Sequence, residues 1–478
     1  MNRRMSRREF GKKLARAASG AAFLALAPSC APTQPSLSMG QLLRNDLTGL
    51  DGTLLFDDPA RQAAADDFGR IVHRSPIAVL KPGSAQDIVK LVQFANRHGL
   101  KIAPRGRAHS FFGQTQVEGG VVIDSSSLNS VRVIDLGTVE IGAGAQWSAV
   151  VNAAYAQKRT PPVIVDIFLS VGGTISTGGF AVTTWNQGFQ VDHVRELQVV
   201  TGDGQLVTCS DERNSDLFNA MLAGLGQCGI IVKVVMALVP APTHVLFFKL
   251  NYDDFQTASA DLALLAKEGR FNHLDGRGAA KPGGGVAYYV EGGAFYDSPN
   301  TPSEEPLLKG LSFASKTATV MTYEQYYRRE EVCTICPTTT PKPFVYLCLP
   351  ASRYVQYTTS ILSNPAEAAY LTPRMSAWRR SNIKRPLARV PDEEIVYRFQ
   401  LSRVLPASAD IPSFIALNRT LYERARDMGG TRLTTSAISF SQADWIRHYG
   451  PAWEPFRAAK QRYDPKNVLT PGHNMFPG

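Results

Sequence analysis

Two glycine-rich turns constrain this chain most. Pro104-Arg105-Gly106-Arg107-Ala108-His109-Ser110 is followed some sixty residues later by Ser170-Val171-Gly172-Gly173-Thr174-Ile175-Ser176-Thr177-Gly178-Gly179. Glycine tolerates unusual backbone angles and puts no side chain in the way, so each turn lets backbone donors close on an anion. The single dinucleotide fingerprint, Gly-x-Gly-x-x-Gly directly after a first strand, does not occur. A diphosphate held by several separated turns fits the sequence better, and His109 sits in one of those turns.

The surroundings read as alternating short strands and helices. Ser84 caps a helix whose apolar stripe runs through Ile88, Val89, Leu91, Val92 and Ala95 until Gly99 stops it. Ile102-Ala103-Pro104 leads as a strand into the first turn. Val121–Asp124 is a further short strand, and 131–134 with 138–144 reads as a hairpin. Residues 147–156 suit a helix, and Gly202-Asp203-Gly204 turns a hairpin between 197–200 and 206–209. Gly226-Gln227-Cys228-Gly229 is a third glycine turn before a strand that ends at Pro240 and Pro242. Beyond those prolines come strands at 245–250, 286–291, 344–348, 395–399 and 436–440, a helix at 254–268 and a surface loop at 297–308. This predicts an α+β protein whose second domain is built on a mainly antiparallel sheet.

At 478 residues the chain has room for at least two cores. Arg3, Arg4, Arg7, Arg8, Lys12, Lys13 and Arg16 precede an apolar run, Ala17 to Ala27, too short to span a bilayer. Ser6-Arg7-Arg8-Glu9-Phe10-Gly11-Lys12 looks like a twin-arginine export address, which serves proteins that cross a membrane already folded. Cys30 is a candidate lipid-modified terminus, although Pro28 matches a lipoprotein box poorly. Most of the net charge of +10 lies in this leader, so the remaining chain carries no nucleic-acid footprint. Cys333-Thr334-Ile335-Cys336 reads either as half a zinc site without a second half or as a local disulfide; no metal is expected.

Arg105 to Ser110, then Gly113-Gln114, Gly119 to Asp124 and Leu128-Asn129, resemble the FAD-linking region of vanillyl-alcohol-oxidase (PCMH-type) flavoproteins, most of all cytokinin dehydrogenases. The resemblance continues through Leu169 to Thr174, Glu196 to Gly204, Gly224 to Ile231, Tyr289 to Gly292, and the tail from Tyr463 to Phe476. It implies a two-lobed PCMH-type FAD-binding domain with a second, substrate-binding cap domain on an antiparallel sheet. The boundaries it suggests are a leader at 1–30, a tether at 31–66, the FAD domain at 67–242, the cap at 243–449 and a returning segment at 450–478.

By the same resemblance the cofactor is FAD, attached covalently to His109, whose preceding residue is Ala108 where the family has glycine. Arg105, Gly106, Arg107, Ser110, Gln114, Gly172, Gly173, Thr174, Thr177, Gly178, Gly229, Ile231 and His473 are the accompanying cofactor-binding positions. Asp166 corresponds to the family's base, one residue closer to the Val-Gly-Gly-Thr turn than usual, and Glu291 to its glutamate at the pocket mouth. A carboxylate among Val163, Ile164, Val165, Ile167 and Phe168 is suited to take a proton. Trp185, Phe189, Tyr289, Tyr397 and Phe399 are candidate pocket aromatics. The reaction implied is oxidation of an amine, as in cytokinin dehydrogenases, with dioxygen or a quinone as acceptor. Oxidation of an alcohol (a sugar, aldonolactone or aromatic alcohol) and a non-catalytic periplasmic flavin or aromatic-ligand carrier are the alternatives. The export address implies a periplasmic or periplasm-facing, membrane-anchored protein.

Overall fold

In the computed structural model, residues 37–281, 286–329, 333, 336 and 338–476 are described. The twin-arginine segment and Cys30 lie outside the described residues. No helix among the described residues is long and apolar enough to cross a membrane.

The helix expected after Pro82 spans Ala85–His98 and buries Ile88, Leu91, Val92 and Ala95. Gly99 ends it in the left-handed conformation at φ 67°. Ser84 stands at the N-cap, but its hydroxyl makes no capping bond. The Asp87 carboxylate instead accepts the amides of Asp51, Gly52 and Gly83. The helix connects Ala78–Lys81 to Ile102–Arg105, and both strands lie parallel to Val121–Asp124 between them. Thr53–Leu55 completes this four-stranded sheet at one edge. Residues 39–64, within the expected tether, hold that strand and two helices, Met39–Asp46 and Asp58–Ala64.

A second sheet of five antiparallel strands carries both expected hairpins, with Gly229–Ala237 at its centre. Helix Val171–Thr177 holds the second glycine turn against it. Gly172 allows that approach, since a Cβ there would lie 2.8 Å from the Ala143 methyl. The tail folds back onto the first sheet: the Ile102 amide donates to Val468 and the Thr470 amide to Ile102. Asp464 fixes this return, pairing with Lys460 at 2.6 Å and accepting the amides of Val468 and Leu469.

The third sheet has eight antiparallel strands from His244–Tyr252 to Thr431–Arg432. Helix Phe255–Glu268 covers one face, burying Leu262, Leu265 and Ala266. Two local expectations fail here. Residues 304–308, within the expected loop, form a short helix. Residues 436–440 form no strand, because Ser436 turns its hydroxyl onto the Tyr346 amide and the Leu433 carbonyl. Thr431–Arg432 takes the edge of strand Val345–Pro350 in their place.

Candidate active site

The first glycine turn is held from beneath by a residue the sequence reading missed. Asp67, 4 % exposed, accepts from the Ser110 hydroxyl at 2.9 Å, the Gly113 amide at 2.8 Å and the Gly69 amide at 3.0 Å. Burial outweighs these bonds and raises its carboxyl to about 6. The Phe68 amide donates to the Ala108 carbonyl, and the Phe68 ring stacks on His109 at 4.0 Å. Ala108 sits in the left-handed region at φ 52°, where its family counterpart is glycine. Gly106 meets the second turn directly: a Cβ there would stand 1.8 Å from Ser170 Oγ.

His109 lines a cavity of about 530 Å³ whose walls come from both glycine turns, the 160–169 loop and the eight-stranded sheet. A neighbouring space of about 100 Å³ shares Gly106, Ser110, Gly173 and Thr177 with it. The two together touch Arg105, Arg107, Gln114, Gly172, Thr174, Gly229, Ile231 and His473, so one elongated ligand can reach all of these. Gly178 lies outside both; it ends helix Val171–Thr177 against Phe189 and Ala223. Arg105 donates to the Ala63 carbonyl and so also secures the turn.

His109 Nε2 is buried and has no hydrogen-bond partner. Burial, helped by the Lys342 ammonium, pushes the imidazolium down to about 4, so the ring is neutral at pH 7. A neutral imidazole keeps a lone pair on one of its two ring nitrogens and can serve as a nucleophile. Together with the close Gly106–Ser170 approach, it fits a flavin held in this space beside His109. Cys333 and Cys336 form a disulfide, and their sulfurs and a His109 ring nitrogen lie within 4.8 Å of one another. In that oxidised form the sulfurs offer no thiolate to a metal. Cys209, Cys228 and Cys348 are free and buried, each thiol pushed up to about 12 by burial.

Asp166 lines the same cavity. Its loop is pinned on both sides: Ile167 and Leu169 carbonyls accept the amides of Ser148 and Trp147, and Gln190 donates to the Val163 carbonyl. Phe168 of this loop packs on His109 with centroids 5.6 Å apart. Glu291 does not reach the cavity. It pairs with Arg277 at 3.1 Å and lies 3.7 Å from the ring of His273, which accepts from Arg329, a cavity residue.

The expected pocket aromatics are displaced by strand alternation. Tyr397 stacks on Tyr354 at 4.0 Å and Phe399 packs on Tyr357, so Arg398 between them faces the other way, into the cavity. Trp185, Phe189 and Tyr289 also lie outside the cavity wall, which instead carries Phe180, Phe295, Tyr323, Tyr326, Tyr327 and Tyr346. Aromatic character survives a register error in the sequence reading, but the particular residues do not.

The fold and this cavity define a PCMH-type flavoprotein architecture. Two solved structures share it: a chitooligosaccharide oxidase (TM-score 0.75, 18 % identity, 91 % of this chain and 99 % of that one) and 6-hydroxy-D-nicotine oxidase from Arthrobacter nicotinovorans (TM-score 0.73, 19 % identity, 90 % and 99 %). Residues 76–210 match the FAD binding domain family, and residues 277–476 match the family described as cytokinin dehydrogenase 1, FAD and cytokinin binding. An uncharacterized oxidoreductase, ORF5 of the fasciation locus in Rhodococcoides fascians, is 32 % identical over 88 % of this chain and 98 % of its own length. Cytokinin dehydrogenase 10 of Oryza sativa subsp. japonica is 30 % identical over 92 % and 91 %. The chain belongs to the cytokinin dehydrogenase family of FAD-dependent oxidoreductases.

Proposed function

We propose that this protein oxidises a small-molecule amine at a C–H bond next to nitrogen, with FAD joined covalently to His109 and Asp166 as the base. The observation that carries this is the shared cavity: His109, whose Nε2 is buried without a partner, and Asp166 both line one space between the glycine turns and the eight-stranded sheet. FAD, when bound, supplies the two-electron acceptor for the substrate C–H bond. Gly106, Ser110, Gly172, Gly173 and Thr177 would hold its diphosphate end, and His109 would fix its ring. Asp166 accepts the proton leaving the substrate nitrogen, and its pinned loop keeps the carboxylate in place while the proton moves. Tyr323, Tyr326, Phe180 and Phe295 exclude water from the reacting carbon. The acceptor that reoxidises the cofactor is dioxygen or a quinone, and the twin-arginine address supports a cofactor loaded before export to the periplasm.

The test is an anaerobic screen of the purified holoprotein against N6-substituted adenines, other secondary amines, sugars and aromatic alcohols, following loss of flavin absorbance. Amines should bleach the flavin, and Asp166→Asn should slow bleaching by about 10²–10⁴-fold at unchanged flavin content. Bleaching by alcohols alone would replace the amine reading with alcohol oxidation. Bleaching by nothing would support the non-catalytic carrier. An Asp166→Asn rate equal to that of the parent would remove Asp166 as base.

A further inference from the structure

One face of the eight-stranded sheet carries a polar ladder that neither the family assignment nor the reaction explains. Glu291 stands opposite Asp275, Arg277 opposite Arg374, Arg374 opposite Gln400, Arg398 opposite Ser376 and Gln400 opposite Tyr346, so the ladder crosses five neighbouring strands. Its centre is Asp275, fully buried, which accepts from Arg374 Nε at 2.6 Å, Ser376 Oγ at 2.8 Å, Arg277 Nε at 3.2 Å and Arg398 Nη2 at 3.2 Å.

The charges are unevenly placed. Among the described residues, Asp275 and Glu291 are the ladder's carboxylates and neither lines the cavity, whereas Arg374, Arg398 and Gln400 do. Asp275 is shared by three guanidinium groups and Glu291 is engaged by Arg277. The sheet wall therefore puts two guanidinium groups and an amide on the cavity, while Asp166 and the exposed Asp297 line other walls. Arg398 is 5 % exposed, and its Nε is buried without a partner. Burial lowers this guanidinium to about 10, so it stays charged at pH 7, with Asp275 as its carboxylate partner at 3.2 Å. Tyr346, opposite Gln400, lines the same cavity as Arg374, Arg398 and Asp166.

We propose that the substrate of this cavity carries an anionic group, a carboxylate, which docks on Arg374, Arg398 and Gln400 of the sheet wall while the oxidised carbon faces Asp166. The inference rests on reading this cavity as the substrate site. A carboxylate on a guanidinium gains charge-assisted hydrogen bonds that a neutral group of the same shape lacks. It also sets the end-to-end direction in which a substrate lies.

The experiment measures binding of benzoate and of its neutral counterpart benzamide to the full holoprotein, by flavin difference spectra and by thermal shift. Benzoate should bind at least about tenfold more tightly than benzamide, as expected for a charge-assisted hydrogen bond. Arg374→Gln and, separately, Gln400→Glu should each cut benzoate affinity about tenfold or more and leave benzamide within about twofold. The second variant adds a carboxylate beside Arg398 and so keeps the test decisive should Arg374→Gln fail to fold. Equal affinity for the two probes, no benzoate binding at millimolar concentration, or an unchanged benzoate-to-benzamide ratio in the folded variants would overturn the proposal. The flavin reading fails separately: protein without flavin that still shows the benzoate-specific thermal shift keeps the anion subsite and loses the flavin proposed at His109.

Discussion

Replacing Asp67 by asparagine isolates the clasp under the His109 turn. The carboxyl is held at about 6 in the folded chain against an ordinary 3.8, and this gap corresponds to about 3 kcal/mol of penalty on the charged form. A raised carboxyl value means the native chain keeps a proton that the unfolded chain has released between about pH 4 and pH 6. Stability from this group is therefore full below about pH 4 and is lost as the pH rises through 6. Asparagine has the same shape and no charge, so it carries none of that slope. It does turn an amide NH₂ toward Gly113 and Ser110 or toward Gly69, a mismatch of about 1–3 kcal/mol that does not depend on pH. Urea unfolding of parent and Asp67→Asn at pH 7.5 and pH 4 gives two stability differences, and other titrating groups cancel between the proteins. The parent should gain about 2–3 kcal/mol on the variant when the pH is lowered. A difference constant to within about 1 kcal/mol would refute the buried, penalised carboxylate and with it the account of how the turn is held.

Further outcomes follow from the same geometry. Gly106→Ala places a methyl 1.8 Å from Ser170 Oγ; it should force the two glycine turns apart, cost about 1–3 kcal/mol and lower flavin content, and adding Ser170→Gly should restore both. Flavin content unchanged in the single variant would show that the close approach does not matter. Alkylation after mild reduction of the folded protein should label Cys333 and Cys336, while Cys209, Cys228 and Cys348, buried and with thiols pushed up to about 12, should label only after denaturation. Labelling of all five in the folded state would contradict the burial.

Local signals carried much of this fold. The helix Ala85–His98, with its buried stripe and Gly99 stop, and the Gly204 hairpin are set by neighbours within a few residues, and the glycine turns are recognisable because few residues tolerate what glycine does there. Asp67 was invisible because its work is done across forty residues, on Ser110 and Gly113. The arginine ladder was invisible for a stronger reason: its members come from five strands between residues 275 and 400, and only the register brings them together. Tyr397 and Phe399 drew attention as aromatics, yet the twofold alternation of the strand sends them to the helix-covered face and gives the cavity Arg398 and Gln400. Glu291 follows the same rule, placed on the polar face but held back from the cavity by His273 and Arg277.

The most direct measurement is the mass of the peptide containing His109 after the purified protein has been denatured and digested. A peptide heavier by one FAD, absent from His109→Ala, is the expected result. Flavin released quantitatively on denaturation of the parent, or a chain that binds none, would contradict the tether that the buried, unpartnered His109 nitrogen supports.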